Sequence, residues 1–277
     1  MKILSWNLFL EELVGQNPIS NYEQYIADMN KAMSDKLFFL DEIKFDAIVD
    51  FGCADGTFLK SLISLRPNIK VIGYDLDHTM LNIAKKKLPG NVLLTNDWNV
   101  ILDEISNYKN PTLNLSSVIH EVYSYSGSFG VNKFWNKQVF NDKFKYITIR
   151  DMMPSVELTK NEISNYKDDA KKVRTKVDKK LLDSFEENWG SIFNDYRNFI
   201  HFLLKYRYTD NWEREVNENY LPITLETLKS KIPNNYSILY EEDFILPYLK
   251  KEVKKDFGVE LTHSTHVKMI IKNKSFK

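Results

Sequence analysis

Ile48-Val49-Asp50-Phe51-Gly52-Cys53-Ala54-Asp55-Gly56 decides how this chain is read. Ala47 to Asp50 is a short apolar run that closes on an acid and a glycine turn. Small residues at 52, 54 and 56 let the backbone approach a ligand closely, and glycine supplies the positive φ that a tight strand-to-helix turn needs. Thr57 to Leu65 then reads as a helix, stopped by Pro67. A dinucleotide-binding turn runs Gly-x-Gly-x-x-Gly and seats a pyrophosphate on the helix N-terminus. Here the spacing is Gly-x-Ala-x-Gly, with Asp50 before it and Asp55 inside it. Two carboxylates repel a pyrophosphate and suit a cationic ligand, which argues against a nicotinamide-dependent oxidoreductase.

Outward from this turn, strands alternate with helices. Lys70 to Asp75 predicts a second strand followed by a helix over Thr79–Leu88. Asn91–Thr95 predicts a third strand, Leu113–Ile119 a fourth, and Tyr146–Arg150 a fifth, with a helix over Phe134–Phe140 before it. Such alternation implies βαβ units. The fold class expected is α/β, Rossmann-like and doubly wound, with a mostly parallel seven-stranded sheet, an N-terminal helical segment and a helical insertion after strand five. Ser20 to Ile43 carries Tyr22, Tyr25, Ile26, Met29 and Met33 at helical spacing. After Pro154 the alternation stops, and Phe185, Trp189, Ile192, Phe193, Tyr196, Ile200, Leu203 and Leu204 predict one face of a long helix. A helix over Thr224–Ile232 and strands at Tyr236–Tyr240 and His266–Ile271 complete the pattern. The implied organisation is an N-terminal helical segment at 1–44, a core at 45–154 and 221–277, and a helical insertion at 155–220. The insertion is expected over the carboxyl ends of the strands, where open α/β sheets bind ligands.

The turn, with Asp75 nineteen residues beyond it at the end of strand two, resembles the class I S-adenosylmethionine-dependent methyltransferases. The first motif of that family is an acid followed by Gly-x-Gly-x-Gly, and Asp50 to Gly56 matches it except for Ala54. The resemblance covers about residues 45 to 153 and returns in the last fifty. It implies S-adenosylmethionine as cofactor, with Asp75 on both ribose hydroxyls, a task a carboxylate can perform. Asn96-Asp97-Trp98 closes strand three, where the family holds the adenine; this implies Asp97 on the exocyclic amine and Trp98 against the ring. Gly52, Cys53, Ala54, Gly56, Leu76 and Ser117 complete the implied cofactor contacts. Tyr25 and Lys36, on the segment before strand one, are expected to close over the cofactor, with Lys36 meeting its carboxylate.

Strand four runs into Ser116-Ser-Val-Ile-His120-Glu121-Val-Tyr123-Ser-Tyr125. In the family this segment passes beside the transferred methyl. His120 or Glu121 is then a candidate base for an attacking hydroxyl or amine, and Tyr123 and Tyr125 candidates for orienting the substrate. The alternative is that His120 and Glu121 hydrogen-bond each other and brace the loop. Arg150-Asp151 ends strand five as either an internal ion pair or an anchor for an anionic substrate.

Exclusions narrow the acceptor. Neither Asn-Pro-Pro-Tyr nor a Pro-Cys nucleophile is present, against the familiar amino- and C5-methylating DNA enzymes. With 38 basic and 38 acidic residues no global field draws the chain to nucleic acid. Lys160 to Lys180 is rich in lysine, which reads first as a solvated helix face and second as a phosphate contact. The single cysteine, Cys53, excludes an internal disulfide and a cysteine-based zinc site, and no metal is expected. No stretch reads as a signal peptide or membrane span, so a cytoplasmic setting is expected. The resulting expectation is a methyltransferase acting on a small-molecule or nucleotide-like acceptor. An RNA or DNA methyltransferase stands second, and a cofactor-binding subunit without catalysis third.

Overall fold

The computed structural model describes residues 33–154, 158 and 166–276. Seven strands form one sheet: β1 (Ala47–Phe51), β2 (Lys70–Tyr74), β3 (Leu93–Thr95), β4 (Pro111–Ser116), β5 (Tyr146–Met152), β6 (Tyr236–Phe244) and β7 (His266–Asn273). Their order is β3-β2-β1-β4-β5-β7-β6. β1 to β5 pair in parallel, while β7 runs antiparallel to both β5 and β6. The helices are α1 (Met33–Lys36), α2 (Thr57–Leu65), α3 (His78–Lys87), α4 (Trp98–Ile105), α5 (Ile119–Tyr125), α6 (Gly127–Lys133), α7 (Tyr166–Lys176), α8 (Lys179–Trp189), α9 (Tyr196–Lys205), α10 (Trp212–Glu215), α11 (Leu225–Lys231) and α12 (Pro247–Phe257), with a π-helical turn at Phe134–Val139.

Period-two alternation along the central strands sends side chains to two cores. Val49, Phe51, Ile72 and Tyr74 meet Trp98, Ile101 and Ile105 of α4, with Phe134 and Leu228, on one face. Ile48 and Val71 meet Leu59 and Leu62 of α2, Leu81 and Ala84 of α3, and Phe39 and Ile43 on the other. With both faces covered, β1 reads as the unbroken apolar run Ala47-Ile-Val closed by Asp50.

A third core, built on Phe185, Phe199, Phe202, Leu203 and Val253, lies in the helices after β5. Each of these buried side chains contributes roughly 1.5–3 kcal/mol relative to exposure. Two expectations are corrected here. The long helix through residues 185 to 204 is broken, because Gly190 at φ 84° ends α8 and the Asp195 side chain caps α9 from outside. The third core also draws on residues beyond 155–220. α12, between β6 and β7, places Leu249, Val253 and Phe257 in the same core, opening on Pro247 and ending at Gly258. The strand-four expectation overran as well: β4 ends at Ser116, and Ile119 already belongs to α5. Of the N-terminal segment, Tyr22, Tyr25 and Met29 lie outside the described residues.

Candidate active site

A cavity of about 550 Å³ opens at the carboxyl ends of β1, β2, β4 and β5, roofed by residues from α9, α10 and α12. Its lining includes Lys36, Asp50, Gly52, Cys53, Ala54, Asp75, Leu76, Ser117, His120 and Glu121. Residues widely separated in sequence thus share one wall, because the parallel strands all end on the same side of the sheet.

The glycine turn is left-handed at three positions: Gly52 (φ 77°), Ala54 (φ 45°) and Gly56 (φ 75°). A side chain at Gly52 would meet Val118 at 2.9 Å, and one at Gly56 would meet Leu88 at 2.7 Å. The glycines are therefore required by backbone conformation and by packing against α5 and α3. Ala54 keeps the same handedness with a Cβ, which costs about 1–2 kcal/mol relative to a right-handed residue. Asp55 does not offer the cavity an open charge. It pairs with Lys87 and accepts from the Thr57 amide and hydroxyl at 3.1 and 2.7 Å, so it closes the start of α2.

Asp75 Oδ2 accepts from Ala54 N at 2.7 Å and Oδ1 from Asp77 N at 2.9 Å, holding the carboxylate against the turn. Burial pushes its pKa up to about 6 against these hydrogen bonds. Asp50 accepts from Asn114 Nδ2 at 2.7 Å, and Asn114 Oδ1 accepts from Thr148 at 2.8 Å, a relay across β1, β4 and β5. Burial raises Asp50 to about 7, opposed by Asn114 and the charge of Lys36. Burial, reinforced by the Arg150 charge, lowers Lys36 to about 8.

His120 is held on both ring nitrogens. Nδ1 lies 2.8 Å from Asp151 Oδ1, and Nε2 lies 3.6 Å from Glu218 Oε2. Burial disfavours the imidazolium, but the Asp151 and Glu218 carboxylates outweigh it and raise the pKa to about 10. Asp151 also accepts from the amides of Val118 (2.8 Å), Ile119 (2.6 Å) and Met152 (2.8 Å), capping α5 from a neighbouring strand. Its carboxyl is held below the ordinary range despite burial, chiefly by His120. Glu121 lies 3.3 Å from Arg214, which also reaches Glu218 at 2.9 Å. Burial raises Glu121, opposed by Arg214. Glu218 is driven down to about 2 by His120 and Arg214, against the effect of burial. The oxygens of Glu121 and Glu218 and a ring nitrogen of His120 lie within 4.8 Å of one another.

Several sequence expectations change. Trp98 does not line the cavity: it is 8% exposed, and its ring packs edge-on to Phe51 and Tyr74. Asp97 is also absent from the lining; its side chain caps α4 through Asn99 N at 2.9 Å. Tyr123 faces Trp135, whose Nε1 donates to its hydroxyl at 3.0 Å, whereas Tyr125 lines the cavity and donates to Glu218 at 3.0 Å. Arg150 and Asp151 do not pair with each other, since successive strand residues face opposite sides. Asp151 serves His120, and Arg150 Nη1 donates to Ser117 Oγ at 2.9 Å. Sequence reasoning did not find Asn114, Glu218, Arg214 or Tyr220, and His120 meets the Tyr220 ring edge-on at 5.2 Å.

No family model and no curated protein matches the sequence. Solved structures do match. The plantazolicin methyltransferase BamL, in complex with a triazolic desmethylPZN analog and SAH, is 11% identical with TM-score 0.50, over 97% of this chain and 96% of that one. The plantazolicin methyltransferase BpumL, with a monoazolic analog and SAH, is 10% identical with TM-score 0.46, over 96% and 95%. The methyltransferase domain of bacterial CtHen1-C is 14% identical with TM-score 0.44, over 88% and 97%. Together with the glycine turn and the seven-stranded sheet, the similarity to BamL means that this chain has the class I methyltransferase fold.

Proposed function

We propose that this chain is an S-adenosylmethionine-dependent methyltransferase that passes a methyl group in line to a small-molecule or nucleotide-like acceptor. Asp75 carries the reading. Each of its oxygens takes one backbone N–H, which leaves a lone pair on each for two neighbouring hydroxyls. The turn beside it approaches without a pyrophosphate-binding glycine pattern, and the cavity can enclose a nucleoside-sized ligand. The solved BamL structure holds SAH. On this reading Asp50, Gly52, Cys53, Ala54, Leu76 and Ser117 flank the cofactor, Lys36 meets its carboxylate, and Tyr25 belongs to the segment covering it.

Bound there, S-adenosylmethionine supplies a methyl group already activated by a positively charged sulfur. The chain's own task is alignment and exclusion of water. His120, charged at neutral pH, donates rather than accepts, so it orients the site. Glu121, whose proton affinity burial raises, is the group placed to take a proton from a hydroxyl or amine acceptor. The nucleic-acid alternative draws little support from the basic run. Lys171, Lys172, Arg174 and Lys179 each pair with a local carboxylate, at 2.7 Å for the first two and 2.6 Å for Arg174. Thermal unfolding tests the reading: S-adenosylmethionine and SAH at a hundredfold excess over Kd each add about 2.7 kcal/mol, and NAD adds nothing. No shift with either ligand rejects it.

A further inference from the structure

Resting on that methyltransferase reading, we infer that Gln138 reads the cofactor's adenine, its side-chain amide doing what the family resemblance assigned to the end of strand three. Asp97 caps α4 and Trp98 is packed in the core, so neither is left to meet the base. Gln138 stands on the π-helical turn Phe134–Val139, where Phe140 N donates to Trp135 O at 2.8 Å, five residues back. Such widened turns recur at functional sites. This one brings Phe134 and Gln138 to the cavity wall, while Trp135 and Val139 stay within the core. Gln138 is 2% exposed. Its amide keeps that surface on the cavity, whereas the Tyr74 hydroxyl beside it is closed off.

The wall around Gln138 suits a flat base. With the ribose on Asp75 and the amino acid portion toward Lys36, the base is left to the side formed by Leu76, Val118, Val122 and Phe134. All four line the cavity and belong to one apolar cluster. Leu76 and Val122 are half-buried and offer carbon surface to a ring. A purine held between such side chains needs one polar group at its amino edge to fix its orientation. The Gln138 amide lowers the Tyr74 phenol against the rise that burial causes, which only its N–H side does. Oε1 is therefore the end turned away from Tyr74, and among the described residues no donor is bonded to it. An amide so placed matches adenine: Oε1 accepts from the exocyclic N–H, and the N–H on the same edge donates to the adjacent ring nitrogen. An ionised carboxylate, an acceptor only, makes the first bond and not the second.

The test is calorimetric titration of the full chain with SAH and with its 6-deamino analogue, in which unsubstituted purine replaces adenine. The wild-type chain is expected to bind SAH about tenfold more tightly than the analogue, since the analogue leaves Oε1 buried without a donor. Gln138→Leu, which keeps the side chain's bulk, should lose about tenfold for SAH and bring the two ligands within about twofold of each other. Asp97→Ala should leave SAH affinity within about twofold and the preference for SAH intact. Equal binding of the two ligands by the wild-type chain overturns the inference without any variant. A Gln138→Leu chain that weakens both ligands alike and keeps the preference also overturns it, because a merely structural role lowers affinity without touching discrimination. Collapse of the preference in Asp97→Ala, with Gln138→Leu unaffected, returns the amine to the end of strand three. Failure of the wild-type chain to bind SAH removes the underlying methyltransferase reading, and the inference with it.

Discussion

Replacing Asp151 with Asn should destabilise the protein far more than a change of one atom suggests. Oδ2 accepts from Val118 and Ile119 N–H, and Oδ1 accepts from Met152 N–H beside the His120 ring. Asparagine keeps one acceptor oxygen. With that oxygen on the Val118–Ile119 side, its amide group faces the Met152 N–H and the imidazolium. An unsatisfied buried amide costs about 1–3 kcal/mol, and breaking a buried ion pair about 3–5 kcal/mol. Proton loss from His120 recovers part of this, so the net expectation at pH 7 is about 3 kcal/mol. Urea unfolding measures it directly, and the melting temperature should fall by roughly 6–10 °C. His120 has a folded-state pKa, about 10, above its unfolded one. Its contribution is therefore complete below about pH 6.5 and is lost as pH rises through about 10. The gap between wild type and Asp151→Asn should consequently narrow steadily from about pH 6.5 to about pH 10. A loss under about 1 kcal/mol at pH 7, or a gap that does not change with pH, refutes the account of this network.

Gly56→Ala should cost about 2–3 kcal/mol in urea unfolding, from the left-handed backbone plus the 2.7 Å approach to Leu88; the companion Ala54→Gly should be neutral or stabilise by up to about 1 kcal/mol. Trp98→Phe should lower stability by about 1–2 kcal/mol yet leave SAH affinity within about twofold, since the ring is core; a large loss of affinity would return Trp98 to the cofactor. Burial raises Asp50 to about 7 and Asp75 to about 6, so their ionised forms are disfavoured in the folded protein. The cationic S-adenosylmethionine should then bind more tightly as pH rises from 5 to 8, and neutral-sulfur SAH should show a weaker slope; calorimetry at both ends of that range decides it.

The parts of the site that sequence made legible are those carried by local pattern. The run from Ile48 to Gly56 announces a strand and a left-handed turn, and Asp75 at the end of the next apolar run falls on the same cavity wall. His120 and Glu121 were legible for the same reason, one turn beyond a strand end. Their partners were not, because Asp151 is 31 residues away and Glu218 comes from the helical region, and only the folded chain joins them. Trp98 misled because an aromatic residue after a strand serves a ring-binding site and a core equally well in sequence; its contacts with Phe51, Tyr74 and Phe144 decide for the core. Gly190 was overlooked inside an apolar periodicity that continues across it, since Phe185 and Phe199 reach the same core from two different helices. α12 carried readable punctuation in Pro247 and Gly258, and its apolar residues recur four apart, but Lys250, Lys251, Glu252, Lys254, Lys255 and Asp256 between them dilute the apolar signal.

The measurement that bears most directly on the central claim is calorimetric titration of the purified chain with S-adenosylmethionine, beside Asp75→Ala. The account predicts binding in the micromolar range, about −8 kcal/mol, which the variant loses by about a hundredfold because two hydroxyl contacts and a charge go together. Absence of binding by the intact chain, or equal binding by Asp75→Ala, contradicts it.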